Sequence, residues 1–131
     1  MTPEAATRVL VVDDSKELTD YVLRLLQEQG IVGAAVHDPL EAPKRAQVFR
    51  PHLFILDYDM PKMQGPELAA LLKSDPATKD IPILFLSVLT DQDHRTLAAL
   101  SGASAYIEKP IDTSRLINAI FRLLRNRART V

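Results

Sequence analysis

The sequence predicts an α/β fold, an open parallel sheet wrapped on both faces by helices, and three observations carry that prediction. Short apolar runs recur along the chain, segments with helical spacing lie between them, and the two kinds alternate from one end to the other. At 131 residues, 47% hydrophobic and 25% charged, the chain has room for one domain core and too little length for two of ordinary size.

The strand candidates are Val9 to Val12, Ile31 to Val36, Leu53 to Leu56, Ile81 to Leu86 and the weaker Ser104 to Ile107. Three of them are apolar on consecutive residues, as strands covered on both faces are, while Gly33 is the weak point of the second. Helical spacing shows in Leu18, Val22, Leu25 and Leu26, in Leu68, Leu71 and Leu72, and in Leu116, Ile117, Ile120, Leu123 and Leu124. Ser15 and Asp112 are placed to cap the first and fifth helices, and Gly30 and Gly102 to close the first and fourth. Asp38-Pro39 opens the second helix, but Pro43 lacks a backbone donor and clashes one turn back, so that helix is expected to start late or be distorted. The fourth, near residues 90 to 101, has only Leu97, Ala98 and Leu100 as an apolar stripe, which predicts shallow docking.

Composition removes whole classes of function. With 16 basic and 17 acidic residues the net charge is -1, so no global basic field points to nucleic acid and no acidic excess points to disorder. The absence of cysteine excludes disulfide frameworks, thiolate metal sites and cysteine nucleophiles. No apolar stretch approaches a membrane span and the opening Met-Thr-Pro-Glu-Ala-Ala is unlike a secretory signal, so a cytoplasmic protein without membrane contact is expected. Arg122, Arg125, Arg127 and Arg129 gather at the end of the last helix, where positive charge suits the helix dipole.

In an open α/β sheet the working edge lies at the carboxyl ends of the strands. The residues there are Asp13 and Asp14 after the first run, Asp57 after the third, Ser87 after the fourth, and Lys109-Pro110 after the fifth. Singly, each has an ordinary structural use: a helix cap, a turn acid before Pro61, a strand-end hydroxyl, a solvated ammonium. Together they bring three carboxylates, a hydroxyl and an ammonium to one cleft. The three acids carry -3 and Lys109 returns +1, a balance that recruits a divalent cation. Hard oxygen donors favour Mg²⁺ or Mn²⁺ over zinc or copper. A divalent cation beside a carboxylate and a lysine is suited to stabilising phosphoryl transfer, here to a carboxylate.

These segments, Val-Leu-Val-Val-Asp13-Asp14-Ser, Leu-Phe-Ile-Leu-Asp57-Tyr-Asp-Met-Pro61-Lys-Met-Gln-Gly65, Leu-Phe-Leu-Ser87 and Tyr106-Ile-Glu-Lys109-Pro110, resemble the receiver domain of two-component response regulators. The resemblance spans about residues 7 to 127, leaving 1–6 and 128–131 as tails and no output domain. It implies a flavodoxin-like sheet of five parallel strands in order 2-1-3-4-5, doubly wound with five helices. It implies Asp57 as phosphoacceptor from a histidine kinase or phosphotransfer protein, and Mg²⁺ held by Asp13, Asp14, Asp57 and the backbone carbonyl of Asp59. Lys109 and Ser87 would contact the phosphoryl oxygens, Tyr106 would be the aromatic switch, and Lys109-Pro110 would be cis. A downstream protein or dimer partner would meet helix four, strand five and helix five, with no direct nucleic-acid contact.

Four positions depart from the common pattern: Val88 is bulkier than the usual small residue, Asp59 adds a carboxylate, Leu89 places an apolar side chain on the rim, and Gln64 replaces an acid before Gly65. Two alternatives follow. A receiver degenerate in chemistry would serve only as a protein-binding module, for which Val88 is the motive. A phosphatase would use Asp57-Tyr-Asp59 as the Asp-x-Asp pair of haloacid-dehalogenase-like enzymes, but that pair usually follows the first strand, and Asp13-Asp14 would then lack a role.

Overall fold

The computed structural model describes residues 6–129, with side chains described through Asn126. Of the expected tails 1–6 and 128–131, residues 1–5 and 130–131 lie outside the described residues, as do the side chains of Arg127 and Arg129. The elements run β1 (Arg8–Val12), α1 (Lys16–Glu28), β2 (Val32–Val36), a 3₁₀ turn (Pro39–Glu41), α2 (Ala42–Phe49), β3 (Leu53–Asp57), α3 (Gly65–Ser74), β4 (Ile83–Ser87), α4 (Gln92–Leu100), β5 (Ala105–Glu108) and α5 (Thr113–Arg129). The strands form one sheet in the order β2-β1-β3-β4-β5, and every pairing is parallel.

Alternation along each strand divides the core between two helical layers. Val9 and Val11, Leu53 and Ile55, and Leu84 and Leu86 pack with Val22, Leu26, Leu116 and Ile120 of α1 and α5. Leu10 and Val12, Phe54 and Leu56, and Ile83 and Phe85 pack with residues of α2, α3 and α4. Burying both faces explains the continuous apolar runs, and each such leucine or phenylalanine contributes about 1.5–3 kcal/mol. No helix among the described residues is long and apolar enough to cross a membrane.

Local signals act where expected. Ser15 accepts a hydrogen bond from the Leu18 amide at 3.2 Å, and Asp112 from the Arg115 amide at 3.2 Å, so both cap their helices. Gly30 and Gly102 follow α1 and α4. Pro43 is tolerated because α2 begins only at Ala42, after the 3₁₀ turn, which puts the proline in the first helical turn where its missing N–H is not needed. Gly33, a weak point in a strand read alone, marks a close approach: a Cβ there would lie 2.6 Å from Leu23 Cδ2 and 2.9 Å from Leu26 Cδ1 of α1.

Two helices leave apolar residues of their stripes exposed. On α3, Leu71 is 47% exposed while Leu68 and Leu72 are buried. On α4 only Ala98 is buried, with Leu97 51% and Leu100 80% exposed, so the helix docks shallowly, as its thin apolar stripe predicts. The helix also starts later than Thr90, with Asp91 as its N-cap.

Candidate functional site

The sheet register decides which strand ends meet. Val12 lies opposite Leu56, so the next residues, Asp13 and Asp57, emerge side by side. Asp57 pairs with Leu86, and Ser87 with Glu108, which delivers Ser87 and then Lys109 to the same edge. Carboxylate oxygens of Asp13, Asp14 and Asp57 lie within 4.8 Å of one another. Lys109 Nζ bridges two of these acids, at 3.0 Å from Asp13 Oδ2 and 3.2 Å from Asp57 Oδ1. Asp13 is held by accepting the Ser15 amide at 2.9 Å, so the turn that caps α1 also aims a site carboxylate.

Burial separates the acids. Asp13 and Asp57 are buried, at 2% and 7% exposure, whereas Asp14 is exposed. Desolvation, reinforced by the charge of Asp13 and opposed by Lys109, pushes the Asp57 carboxyl up to about 6. Burial alone would lower the Lys109 ammonium, but its hydrogen bond to Asp13 and the charges of Asp13 and Asp57 outweigh that and raise it. One ammonium against three converging carboxylates leaves a local excess of negative charge. An all-oxygen donor set of which one member is solvent-facing fits a hard divalent cation that keeps part of its water shell.

The loop after β3 is pinned close to the site. The Gly65 amide donates to the Tyr58 carbonyl at 2.7 Å, and a Cβ on Gly65 would fall 2.5 Å from the Asp57 carbonyl oxygen and 2.6 Å from Phe85 Cε1. Only glycine lets α3 begin so near the strand end. Lys62 pairs with Asp38 at 2.9 Å, tying this loop to the one after β2. Asp59 is exposed, and its Oδ1 accepts from Gln64 Nε2 at 3.1 Å, so its side chain is engaged away from the other three acids.

Ser87 is 1% exposed, and its Oγ accepts from the Leu89 amide at 2.9 Å. The Leu89 carbonyl in turn accepts from the Tyr106 hydroxyl, so one peptide segment links the strand-end hydroxyl to the aromatic ring. Lys109-Pro110 is cis. Val88 is 65% exposed, at the rim rather than in the core.

Two participants escape sequence reading. Tyr58 is 4% exposed with its hydroxyl lacking a hydrogen-bond partner among the described residues, and its ring lies 5.7 Å from that of Phe85, 5.2 Å from His94 and 6.4 Å from Tyr106. Arg95 of α4 stacks over the Tyr106 ring at 4.9 Å while its Nη2 donates to Glu108 at 2.7 Å. No spacing rule couples residues 95, 106 and 108, because their contact exists only once α4 lies against β5.

Comparison with known proteins agrees with this geometry. The family model described as the response regulator receiver domain matches residues 9–121. Protein RcaC of Microchaete diplosiphon is 35% identical over 122 residues, covering 93% of this chain but only 19% of that much longer protein. The receiver domain of a signal transduction histidine kinase from Syntrophus aciditrophicus superposes with a TM-score of 0.87 at 32% identity, over 96% of each chain. The chemotaxis protein CheY4 of Vibrio cholerae gives 0.86 at 30% identity, over 91% of this chain and 99% of that one. Sheet order, an acidic cluster at the strand ends and these similarities converge, and the chain belongs to the response regulator receiver domain family.

Proposed function

We propose that this receiver accepts a phosphoryl group on Asp57 from a phosphohistidine of a histidine kinase or phosphotransfer protein, and that the modification alters a partner-binding face. The observation that supports it best is the position of Asp57: buried at the end of the central strand, within 4.8 Å of two further acids and 3.2 Å from Lys109. In the proposed step an Asp57 carboxylate oxygen bonds to phosphorus as the P–N bond breaks and the imidazole departs. The carboxylates of Asp13, Asp14 and Asp57 and the backbone carbonyl of Asp59 are the residues we assign to holding Mg²⁺, which when bound neutralises charge on the transferring phosphoryl group. Lys109 pairs with the phosphoryl oxygens, and Ser87 exchanges the Leu89 amide for one of them. That exchange frees the Leu89 segment and the Tyr106 hydroxyl it holds, carrying the change toward α4, β5 and α5. We place the domain at residues 7–127 and in the cytoplasm, where such donors operate; self-phosphorylation and slow self-hydrolysis are the only reactions assigned to it.

Intact-mass measurement after incubation with acetyl phosphate and Mg²⁺ tests the assignment. One phosphoryl adduct is expected on the wild type and none on Asp57→Asn. An equal adduct on both proteins overturns Asp57 as the acceptor.

A further inference from the structure

Asp13, Asp14, Asp57 and Asp59 all follow or end β1 and β3, yet only the first three face one another. Their carboxylate oxygens gather within 4.8 Å, and three ionised acids against the single Lys109 ammonium leave a charge of -2. Asp59 stands outside that group. Its Oδ1 accepts from Gln64 Nε2 at 3.1 Å, and no lysine or arginine among the described residues pairs with it. Gln64 is itself fixed at the start of α3. Its backbone amide donates to Glu67 Oε1 at 3.4 Å, its side-chain nitrogen also lies 3.5 Å from the Met60 carbonyl oxygen, and the next residue, Gly65, donates to the Tyr58 carbonyl at 2.7 Å. The neutral amide makes the contact with Asp59 attractive, because it offers an N–H where a glutamate of the same length would set a second carboxylate against the first.

We infer that Gln64 is a positioning residue that keeps the Asp59 carboxylate out of the cation site, so that three acids rather than four set the charge there. The inference rests on the proposed reading of Asp13, Asp14 and Asp57 as the side chains that hold Mg²⁺, and it adds the residue that limits the ligand set. The backbone carbonyl of Asp59 is assigned to the same ion, so its side chain starts beside the ion's water shell. Without a donor to hold it, a carboxylate so placed turns toward a hydrated divalent cation. The site would then pass from -2 to -3, which tightens the ion and repels an anionic phosphoryl donor. With the tether in place the ion is held loosely and the pocket stays open to such donors. A purely structural role for Gln64 at the start of α3 has the opposite signature. Disturbing the loop after β3 would scatter the ligands and weaken the ion, whatever side chain stands at position 59.

Calorimetric titration of the full chain with magnesium chloride tests this through a double-mutant cycle. Gln64→Met keeps the length of the side chain and removes the donor, and it is expected to bind Mg²⁺ about three-fold more tightly than the wild type, the scale of one exposed ion pair. In an Asp59→Asn background the same substitution is expected to change nothing. Unchanged or weaker binding by Gln64→Met, or a tightening that persists with asparagine at position 59, overturns the tether. A second measurement needs no variant at position 64. The side-chain amide resonances of Gln64 in the nitrogen-15-labelled protein are expected to move in Asp59→Asn, and to move less than half as far when Mg²⁺ saturates the wild type. Resonances indifferent to residue 59, or moved by Mg²⁺ half as far or more, overturn the inference even if Gln64→Met fails to fold. Asp14→Ala separates the two readings. A loss of Mg²⁺ affinity in that variant, with no effect of Gln64→Met, upholds the three-acid site and refutes the tether, whereas unchanged affinity in Asp14→Ala refutes the site and the inference with it.

Discussion

Asp57→Asn is expected to stabilise the metal-free protein, and to do so in a pH-dependent way. The carboxyl is 7% exposed beside Asp13, and its pKa in the fold is about 6 against 3.8 for an ordinary aspartate. Between those values the folded chain holds a proton that the unfolded chain has released. The stability associated with protonated Asp57 is thus complete below pH 3.8 and is lost as pH rises through about 6. At about 1.4 kcal/mol per pKa unit, the wild type forfeits about 1 kcal/mol at pH 4.5 and about 3 kcal/mol at pH 7.5. The shift already includes the attraction of Lys109, and asparagine is neutral throughout and nearly the same shape. The variant should therefore lead the wild type by a margin that grows by about 2 kcal/mol over this range. Urea unfolding of both proteins in EDTA at pH 4.5 and 7.5 measures it, with a parallel rise in Tm of about 3 °C per kcal/mol. A margin that is the same at both pH values, or a variant less stable at pH 7.5, would show that burial and the neighbouring Asp13 do not raise the Asp57 carboxyl.

Three further outcomes are expected. Asp14→Ala should weaken Mg²⁺ binding by about ten-fold, read by calorimetry, because it removes one of three carboxylates from an open site; unchanged affinity would remove Asp14 from the ligand set. Val88→Ala should speed both acetyl-phosphate labelling and self-hydrolysis of the phosphorylated form by a few-fold with the fold retained, since a β-branched side chain at the rim narrows in-line approach; rates at or below wild type for both would exclude that obstruction. Gly33→Ala should cost about 1–3 kcal/mol in denaturant unfolding, because its Cβ would press on Leu23 and Leu26 of a packed core, and an unchanged midpoint would mean α1 moves freely over β2.

The amino-acid sequence by itself determined the α/β class, the five strands, the caps at Ser15 and Asp112, and the acids, hydroxyl and lysine that reach the working edge. These were legible because each depends on local order: apolar runs, helical spacing, and polar residues directly after a strand. The late start of α2 was equally legible, since a proline's missing donor acts within one turn. Tertiary structure alone decided the rest. Leu71 carries the right spacing for burial yet stays exposed, because spacing defines a stripe but not how much neighbouring surface exists to cover it. Gly33 reads as a weak point until the approach of α1 at under 3 Å gives it its reason, and the close packing that requires glycine at position 65 likewise shows only in the fold. The side chain of Asp59 is drawn to Gln64, while Arg95 reaches across to Tyr106 and Glu108; both contacts join groups whose distance is set by loop path and helix placement. The raised pKa of Asp57 belongs to this second kind, for a carboxylate's ionisation depends on the water removed and the charges gathered around it, and both follow from packing.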